Sequence, residues 1–480
     1  MSTIADHATF VDSLRAVVGS EAVLDSHAEL LVYECDAFVL EKHSPQVAVF
    51  PRTTAEVARI VKLCHEHGEP FMPRGAGTSL AGGGAPIGGG VIIVLTRMNA
   101  ILEVNIRDRY AVVEPGVVNG NLNRHLAGTG YQYAPDPSSQ GACTIGGNVG
   151  TNAGGPHTLK YGVTVNHVLG LEVVTAEGDI VRVGGVTEDP TGLDLVGTIV
   201  GSEGTLAIVT KIWVRLTRNP QGVRTMLAVF DSTDDCSQAI SGIIGAGIIP
   251  AALEMMDQGI IVAVEAAFHF GFPLDAAAVL IIEVDGLEAG LDAQRDRAAE
   301  LCRTHGAREI RHAKDAKERL ALWKARKQAF GAIGRLSPSF CTQDGVVPRT
   351  KLPHILASIR DIGAKYDLRI VNVFHAGDGN LHPILLFDER RPEEVRRVLD
   401  ASAEILNACI DCGGSVTGEH GIGLEKISFM TKLFSEDDVD VMKRLRNALN
   451  PRGLLTPGKM LPTAGACGME QVHPGRRAAL

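Results

Sequence analysis

Between residues 44 and 84 the spacing of apolar positions changes period in a readable way. Val47 and Val49 alternate as in a strand, Thr53-x-x-Glu56 has the spacing of a capping box, and Val57, Ile60, Val61 and Cys64 then mark one helical face. A short strand at 70–73 runs into the glycine-rich stretch "PRGAGTSLAGG" (73–83), so the pattern predicts a β-α-β-loop unit. Loops at such strand ends are where phosphates tend to sit. Strand-like runs follow at 91–95, 101–104 and 110–113. A second glycine-rich region, "GACTIGGNVGTNAGG" (141–155), precedes a hairpin pattern with Glu177-Gly178-Asp179 at its turn, and "GSEGTLAIVTKIWVRLT" (201–217) closes an α+β first half.

After about residue 219 the pattern changes. Strand 224–230, helix 235–246 and strand 250–255 form one unit, and strand 278–284, helix 288–304 and strand 308–312 form another. Two such units in sequence predict a ferredoxin-like sheet with helices on one face. A helical stretch (316–334), a hairpin at 372–387 and a helix at 391–410 complete this part. The hairpin reads "NVFHAGDGNLHPILLF". A turn centred on Asp378-Gly379 would set Gly377 opposite Asn380 and His375 opposite His382. Opposed residues share a face with Cβ atoms about 4.5–5.5 Å apart, close enough for two imidazoles to reach one metal ion. Cross-strand histidines also occur as simple surface pairs. The distant "GGSVTGEHGIGLEK" (413–426) sets Glu419 and His420 among glycines, and two His with one carboxylate leave coordination positions open, as a catalytic ion requires.

Length and composition narrow the classes. A chain of 480 residues is too long for one core, so two or three domains are expected. A net charge of −10 argues against a general nucleic-acid binder. The longest apolar stretch (240–256) is broken by Pro250 and falls short of a bilayer span. The start shows no signal-peptide pattern, and nine scattered cysteines without framework spacing fit a reducing cytoplasm. Cys409-x-x-Cys412 closes an amphipathic segment and reads as partly buried thiols at a helix end.

Two common nucleotide loops fail on inspection. No GK[ST] ends a Walker loop, and Gly75-Ala76-Gly77 is followed by Leu80 where the dinucleotide fingerprint needs its third glycine. The segments 73–83, "PDPSSQGACTIGGNVGTNAGG" (135–155), "KYG" (160–162) and "GSEGTLAIVT" (201–210), taken in order, resemble the flavoprotein family typified by vanillyl-alcohol oxidase. The resemblance implies FAD in an N-terminal domain, and the physics agrees: a pyrophosphate needs converging N–H groups with no Cβ in the way. It implies contacts from Pro73, Arg74, Gly75, Ala76, Gly77, Thr78 and Ser79 in the first loop, Arg74 adding a positive charge. From the second region it implies Pro137, Ser138, Gly141, Thr144, Ile145, Gly146, Gly147, Asn148, Thr151, Asn152, Gly154 and Gly155. Gly162, Glu203, Gly204 and Ile208 complete the set. With no histidine in 68–124, non-covalent attachment is expected.

"NVFHAGDGNLHP" and "GGSVTGEHGIG", with "NPRGLLTPGKML" (450–461), resemble the C-terminal FAD-linked oxidase domain of D-lactate dehydrogenases, D-2-hydroxyglutarate dehydrogenases and the FAD subunit of bacterial glycolate oxidase. That resemblance implies a divalent metal (Zn, Fe or Mn) on His375, His382 and Glu419, His420 as general base, and Arg326 of the "W-x-x-R" helix on the substrate carboxylate. The chemistry fits oxidation of a 2-hydroxy acid. The metal acidifies the hydroxyl, a histidine takes its proton, an arginine grips the carboxylate, and hydride leaves for flavin N5. Where 2-hydroxyglutarate enzymes carry a lysine for the distal carboxylate, this chain has Thr342, and "GRLSPSFCTQDGVVPR" resembles the glycolate oxidase subunit instead. A small acid such as glycolate or D-lactate is therefore favoured. D-2-hydroxyglutarate oxidation, a flavin-free metallohydrolase and a non-catalytic flavin-binding subunit are the alternatives.

The expected architecture is α+β, with a VAO/PCMH-type FAD-binding domain (1–218) and a ferredoxin-like substrate, or cap, domain (219–410). A small C-terminal helical segment (411–465) returns to the FAD domain and active site, followed by a mobile tail (466–480). Without an iron–sulfur cysteine pattern, electrons must leave for an external acceptor. The resemblance implies a second flavin-domain-like subunit with an iron–sulfur subunit, or quinone, cytochrome or an electron-transfer flavoprotein. It also allows a homodimer, and a cytoplasmic protein associated with the membrane through partner subunits.

Overall fold

The computed structural model describes residues 4–187 and 192–462; the tail expected at 466–480 lies outside the described residues. The chain divides into two compact units, one of Met1–Ala153, Val163–Arg218 and Glu419–Leu480, the other of Gly154–Gly162 and Asn219–Gly418.

In the first unit, helix Thr54–His67 starts where the sequence sets it: the Thr53 hydroxyl accepts from Glu56 N–H at 3.2 Å. It ends at Gly68, whose φ of +68° is the left-handed cap glycine adopts without strain. Its buried face, Val57, Ile60, Val61 and Cys64, packs on a four-stranded sheet ordered Val23–Leu24, Val47–Val49, Val91–Val94, Phe71–Arg74, of which the last three run parallel. An antiparallel sheet of five strands is ordered Ile101–Asn105, Tyr110–Val113, Ala207–Arg215, Val168–Thr175, Ile180–Gly184. The late part of the chain joins this unit, with Leu455 bridging to Phe71 and fully buried in the same core.

In the second unit, strands Gly222–Phe230, Ala252–Asp257, Ala278–Gly286 and Ala307–His312 stand in the order fourth, first, third, second, all antiparallel. That is the ferredoxin-like order. Helices cover both faces rather than one, however. One face carries Leu227, Val229, Met256, Val279 and Ile281 against helices Gln258–Phe268 and Ala329–Ile333. The alternate residues Met226, Ala228, Leu280 and Ile282 are equally buried, on the side of helices Thr233–Gly245 and Leu291–Thr304. The strands announce this, since "TMLAVF" and "AVLII" are continuous apolar runs without polar alternation. Helix Gln258–Phe268 escaped the sequence reading because "IIVAVEAAF" lacks a polar face that would mark a 3.6-residue period.

Candidate active site

Strand Arg369–His375 extends the second unit's sheet beside Ala252–Asp257, with Val373 opposite Met256 and His375 opposite Glu254. Val371, Val373, Ile384 and Met256 all belong to the apolar layer under helices Gln258–Phe268 and Ala329–Ile333. Two residues beyond that layer, on the same face by the period of two, stand Glu254, His375 and His382. The apolar layer thus ends in a buried polar cluster.

The hairpin register differs from the one expected. His375 pairs with Asn380, not His382, and Asn372 pairs with Pro383. The turn is four residues long (376–379) because the Asp378 carboxylate accepts from Asn380 N–H at 3.1 Å, closing a wider loop than Asp378-Gly379 alone. Gly379 takes φ +82° with the Val347 carbonyl where a Cβ would stand. A slip of two residues preserves the face, whereas a slip of one would reverse it. The two imidazoles therefore still meet, with ring centroids 5.1 Å apart and planes at 89°.

Glu254 is fully buried, and its carboxylate accepts from His375 Nδ1 at 2.8 Å and from Arg326 Nε at 2.7 Å. Arg326 lies on helix Ala316–Lys327, capped by Asp315 and anchored a turn earlier by Trp323 Nε1 donating to Glu283 at 2.6 Å. Its guanidinium is 0% exposed, yet Nη1 and Nη2 have no hydrogen-bond partner within the protein. Two buried N–H-bearing nitrogens left open beside a satisfied Nε are the fork that a carboxylate accepts. Thr342 Oγ1 and Asn380 Oδ1 are buried and unpartnered too.

His382 Nδ1 lies 3.4 Å from the Gln343 carbonyl and 3.8 Å from Asp344 Oδ1. Asp344 in turn accepts from Thr417 Oγ1 at 2.8 Å and Gly418 N–H at 2.9 Å, tying down the end of the segment that continues directly into Glu419 and His420. His375, His382 and Arg326 thus share the second unit, while Glu419 and His420 fall in the first by one and two residues. An imidazole whose Nδ1–H meets an oxygen carries its lone pair on Nε2, the nitrogen a divalent ion takes. Both rings have that arrangement, so the donor set fits a metal. Sequence reasoning missed Glu254, Gln343 and Asp344. For Glu254 the available signal is one carboxylate at an inward position of the otherwise apolar "ALEMM".

In the first unit the glycine-rich loop fits an anionic cofactor. Among the described residues, the backbone N–H groups of Gly75, Ala76, Gly77, Thr78 and Ser79 donate to no acceptor within the chain, which is what a diphosphate requires. A Cβ on Gly75 would lie 2.5 Å from Thr144 Oγ1, the hydroxyl that caps helix Ile145–Thr151 by accepting from Gly147 N–H at 3.2 Å. A Cβ on Gly146 would stand 2.5 Å from Pro115 Cβ, and one on Gly204 2.6 Å from Pro73 Cγ, so neither position has room for a side chain. Gly141 has open space instead.

Several side chains expected at the cofactor are engaged by the protein. Arg74 donates to the Gly84 and Cys35 carbonyls, both at 2.8 Å, so its charge braces the loop. Asn148 bonds Asn119 and Cys143, Asn152 accepts from Val165 N–H, and Ile208 is fully buried in the core. Glu203 accepts from Ile422 N–H at 2.6 Å and Gly423 N–H at 2.8 Å, and burial raises its pKa. Lys459 donates to the Gly83 carbonyl, and burial lowers its pKa to about 7. Gly154, Gly155 and Gly162 belong to the stretch that clusters with the second unit.

The family of "FAD linked oxidases, C-terminal domain" matches residues 219–460, and "FAD binding domain" matches 45–184. The chain is 42% identical to glycolate oxidase subunit GlcD of Escherichia coli (strain K12) over 473 residues, covering 98% of this chain and 95% of that one. It is 42% identical over 450 residues to glycolate oxidase subunit GlcD of Bacillus subtilis (strain 168), covering 94% and 96%. It is 33% identical over 463 residues to the probable mitochondrial D-lactate dehydrogenase of Danio rerio, covering 94% and 91%. The solved structure of p-cresol methylhydroxylase with substrate bound has the same fold: TM-score 0.82, 20% identity, covering 95% of this chain and 97% of that one.

Proposed function

This chain belongs to the FAD-linked oxidases, and from that premise we propose that it oxidises a small 2-hydroxy acid, of glycolate or D-lactate type, to the 2-oxo acid. The observation that carries the reading is Arg326, buried with Nη1 and Nη2 unpartnered. A 2-hydroxy acid brings the carboxylate that this fork lacks. Bound FAD supplies the two-electron oxidant, and a bound divalent ion supplies Lewis-acid polarisation of the hydroxyl. Arg326 would fix the substrate's orientation, His375, His382 and Glu419 would hold the ion, and His420 would take the hydroxyl proton. Thr342 and Asn380 offer buried oxygens to the rest of the substrate.

Membership of an FAD-binding family removes the flavin-free hydrolase alternative. The subunit names of the GlcD relatives support work within an oxidase complex, and we assign the electrons to an acceptor outside this chain, on a second flavin-domain-like and an iron–sulfur subunit. Among the described residues no helix is long and apolar enough to cross a membrane, and we assign any membrane association to such partners.

The test uses FAD-loaded protein under anaerobic conditions. Glycolate or D-lactate should bleach the flavin absorbance, and a metal chelator should slow that bleaching. Bleaching by D-2-hydroxyglutarate alone would replace the assigned substrate, and no bleaching by any of the three would refute a self-sufficient dehydrogenase.

A further inference from the structure

Glu254 has no role in the reading above, yet its carboxylate meets both a proposed metal ligand and the proposed substrate arginine. Its carboxylate is fully buried in an apolar strand, 2.7 Å from Arg326 Nε and within 2.8 and 3.0 Å of His375 Nδ1 through its two oxygens. We propose that Glu254 is a positioning residue that sets the metal-binding nitrogen of His375 and, with the same carboxylate, aims the open fork of Arg326. The inference rests on the metal and substrate roles proposed for those two side chains.

The argument is one of donors and acceptors. A carboxylate only accepts, and Arg326 Nε only donates. His375 Nδ1 must therefore carry a proton to meet Glu254, which leaves the ring's lone pair on Nε2. On the arginine, engagement through Nε keeps Nη1 and Nη2 for a ligand, since a fork-on-fork pairing with Glu254 would close one of them. The negative charge also offsets that of a fully buried guanidinium, which would otherwise stand uncompensated. Glu254 and His375 are register partners on adjacent strands, so the contact is built into the sheet.

Glu254→Gln tests this because the amide is nearly the same shape but has one acceptor end and one donor end. Turned with its nitrogen toward Arg326 Nε, it sets two donors face to face. Turned the other way, it presents NH2 to His375 Nδ1, which must then accept, and the proton moves to Nε2, where the ion should bind. The substitution should thus remove a metal-binding nitrogen without removing any side chain.

The measurement is Zn(II) affinity of the full-length, FAD-loaded protein by competition with a chromophoric chelator, alongside FAD content. Glu254→Gln should bind Zn(II) about 10–100-fold more weakly, with FAD content unchanged. If the single variant is unstable through the uncompensated Arg326, the double variant E254M/R326M removes that charge together with the acceptor for His375 Nδ1. It should recover the thermal midpoint while Zn(II) affinity stays low, whereas R326M alone keeps its Zn(II) affinity. A purely structural role predicts the opposite: lowered stability with unchanged Zn(II) affinity. Wild-type Zn(II) affinity in E254Q or in E254M/R326M overturns the inference alone. A wild-type protein that binds neither Zn(II) nor Mn(II) overturns the proposed metal site and this inference with it.

Discussion

His375 and His382 are not partners across their hairpin, yet their imidazole rings stand 5.1 Å apart at 89°, both buried. The two-residue offset places them diagonally on one sheet face. If the pair holds a divalent ion, His382→Ala should lose at least nine-tenths of the bound metal while FAD is retained. Metal analysis and flavin absorbance on the same sample decide it, and full metal content in the variant would refute the pair's role.

Arg326 separates charge from geometry. Arg326→Lys keeps a cation near Glu254 but loses the planar fork, so apparent KM for the 2-hydroxy acid should rise by about a hundredfold. Arg326→Ala should in addition destabilise the protein by about 3–5 kcal/mol, because Glu254 is left buried without its countercharge. Steady-state kinetics and chemical denaturation read the two effects separately. An unchanged KM in the lysine variant would remove Arg326 from the substrate.

Gly75 is fixed by a neighbour rather than by its own backbone. In Gly75→Ala the new methyl would lie 2.5 Å from Thr144 Oγ1, displacing the hydroxyl that caps helix Ile145–Thr151. The loss of a cap costs about 1 kcal/mol, and the shifted N–H groups should weaken FAD binding at least tenfold by flavin fluorescence titration. Wild-type FAD affinity would show that the loop does not hold the cofactor.

Lys459 gives a pH dependence with a defined sign. Its folded-state pKa is lowered by burial from 10.5 to about 7. Below pH 7 both folded and unfolded chains hold the proton, and the penalty of burying the charge is complete. Between pH 7 and 10.5 the unfolded chain holds a proton that the folded one lacks, so stability rises with pH across that window. Lys459→Met should lack that rise. Denaturation midpoints of both proteins across this range, with parallel curves, would contradict the assignment.

Elements with a clear period were legible in the sequence: helix Thr54–His67 with its Thr53 cap, and helix Pro392–Asp411 with buried Cys409 and half-buried Cys412 at its end; the ferredoxin-like sheet was legible from its two strand-helix-strand units. Helix Gln258–Phe268 was not, since its exposed side carries Val262, Ala266 and Phe268 and so shows no polar stripe. At the glycine-rich loop 73–83, glycine positions were legible as close approaches. The inward engagement of Arg74 was not, because an arginine's partners here, Gly84 and Cys35, are ten and thirty-nine residues away.

The sequence by itself determined the residue types of the site and the face on which the histidines lie, because strand alternation is local and survives a two-residue slip. It did not determine the register, which depends on the Asp378 carboxylate closing the turn and on the Val347 carbonyl packed at Gly379. Nor did it reveal Glu254. A buried carboxylate is tolerable only where its countercharge and its donors converge. Here they come from positions 326 and 375, which only the packed sheet and helix bring together.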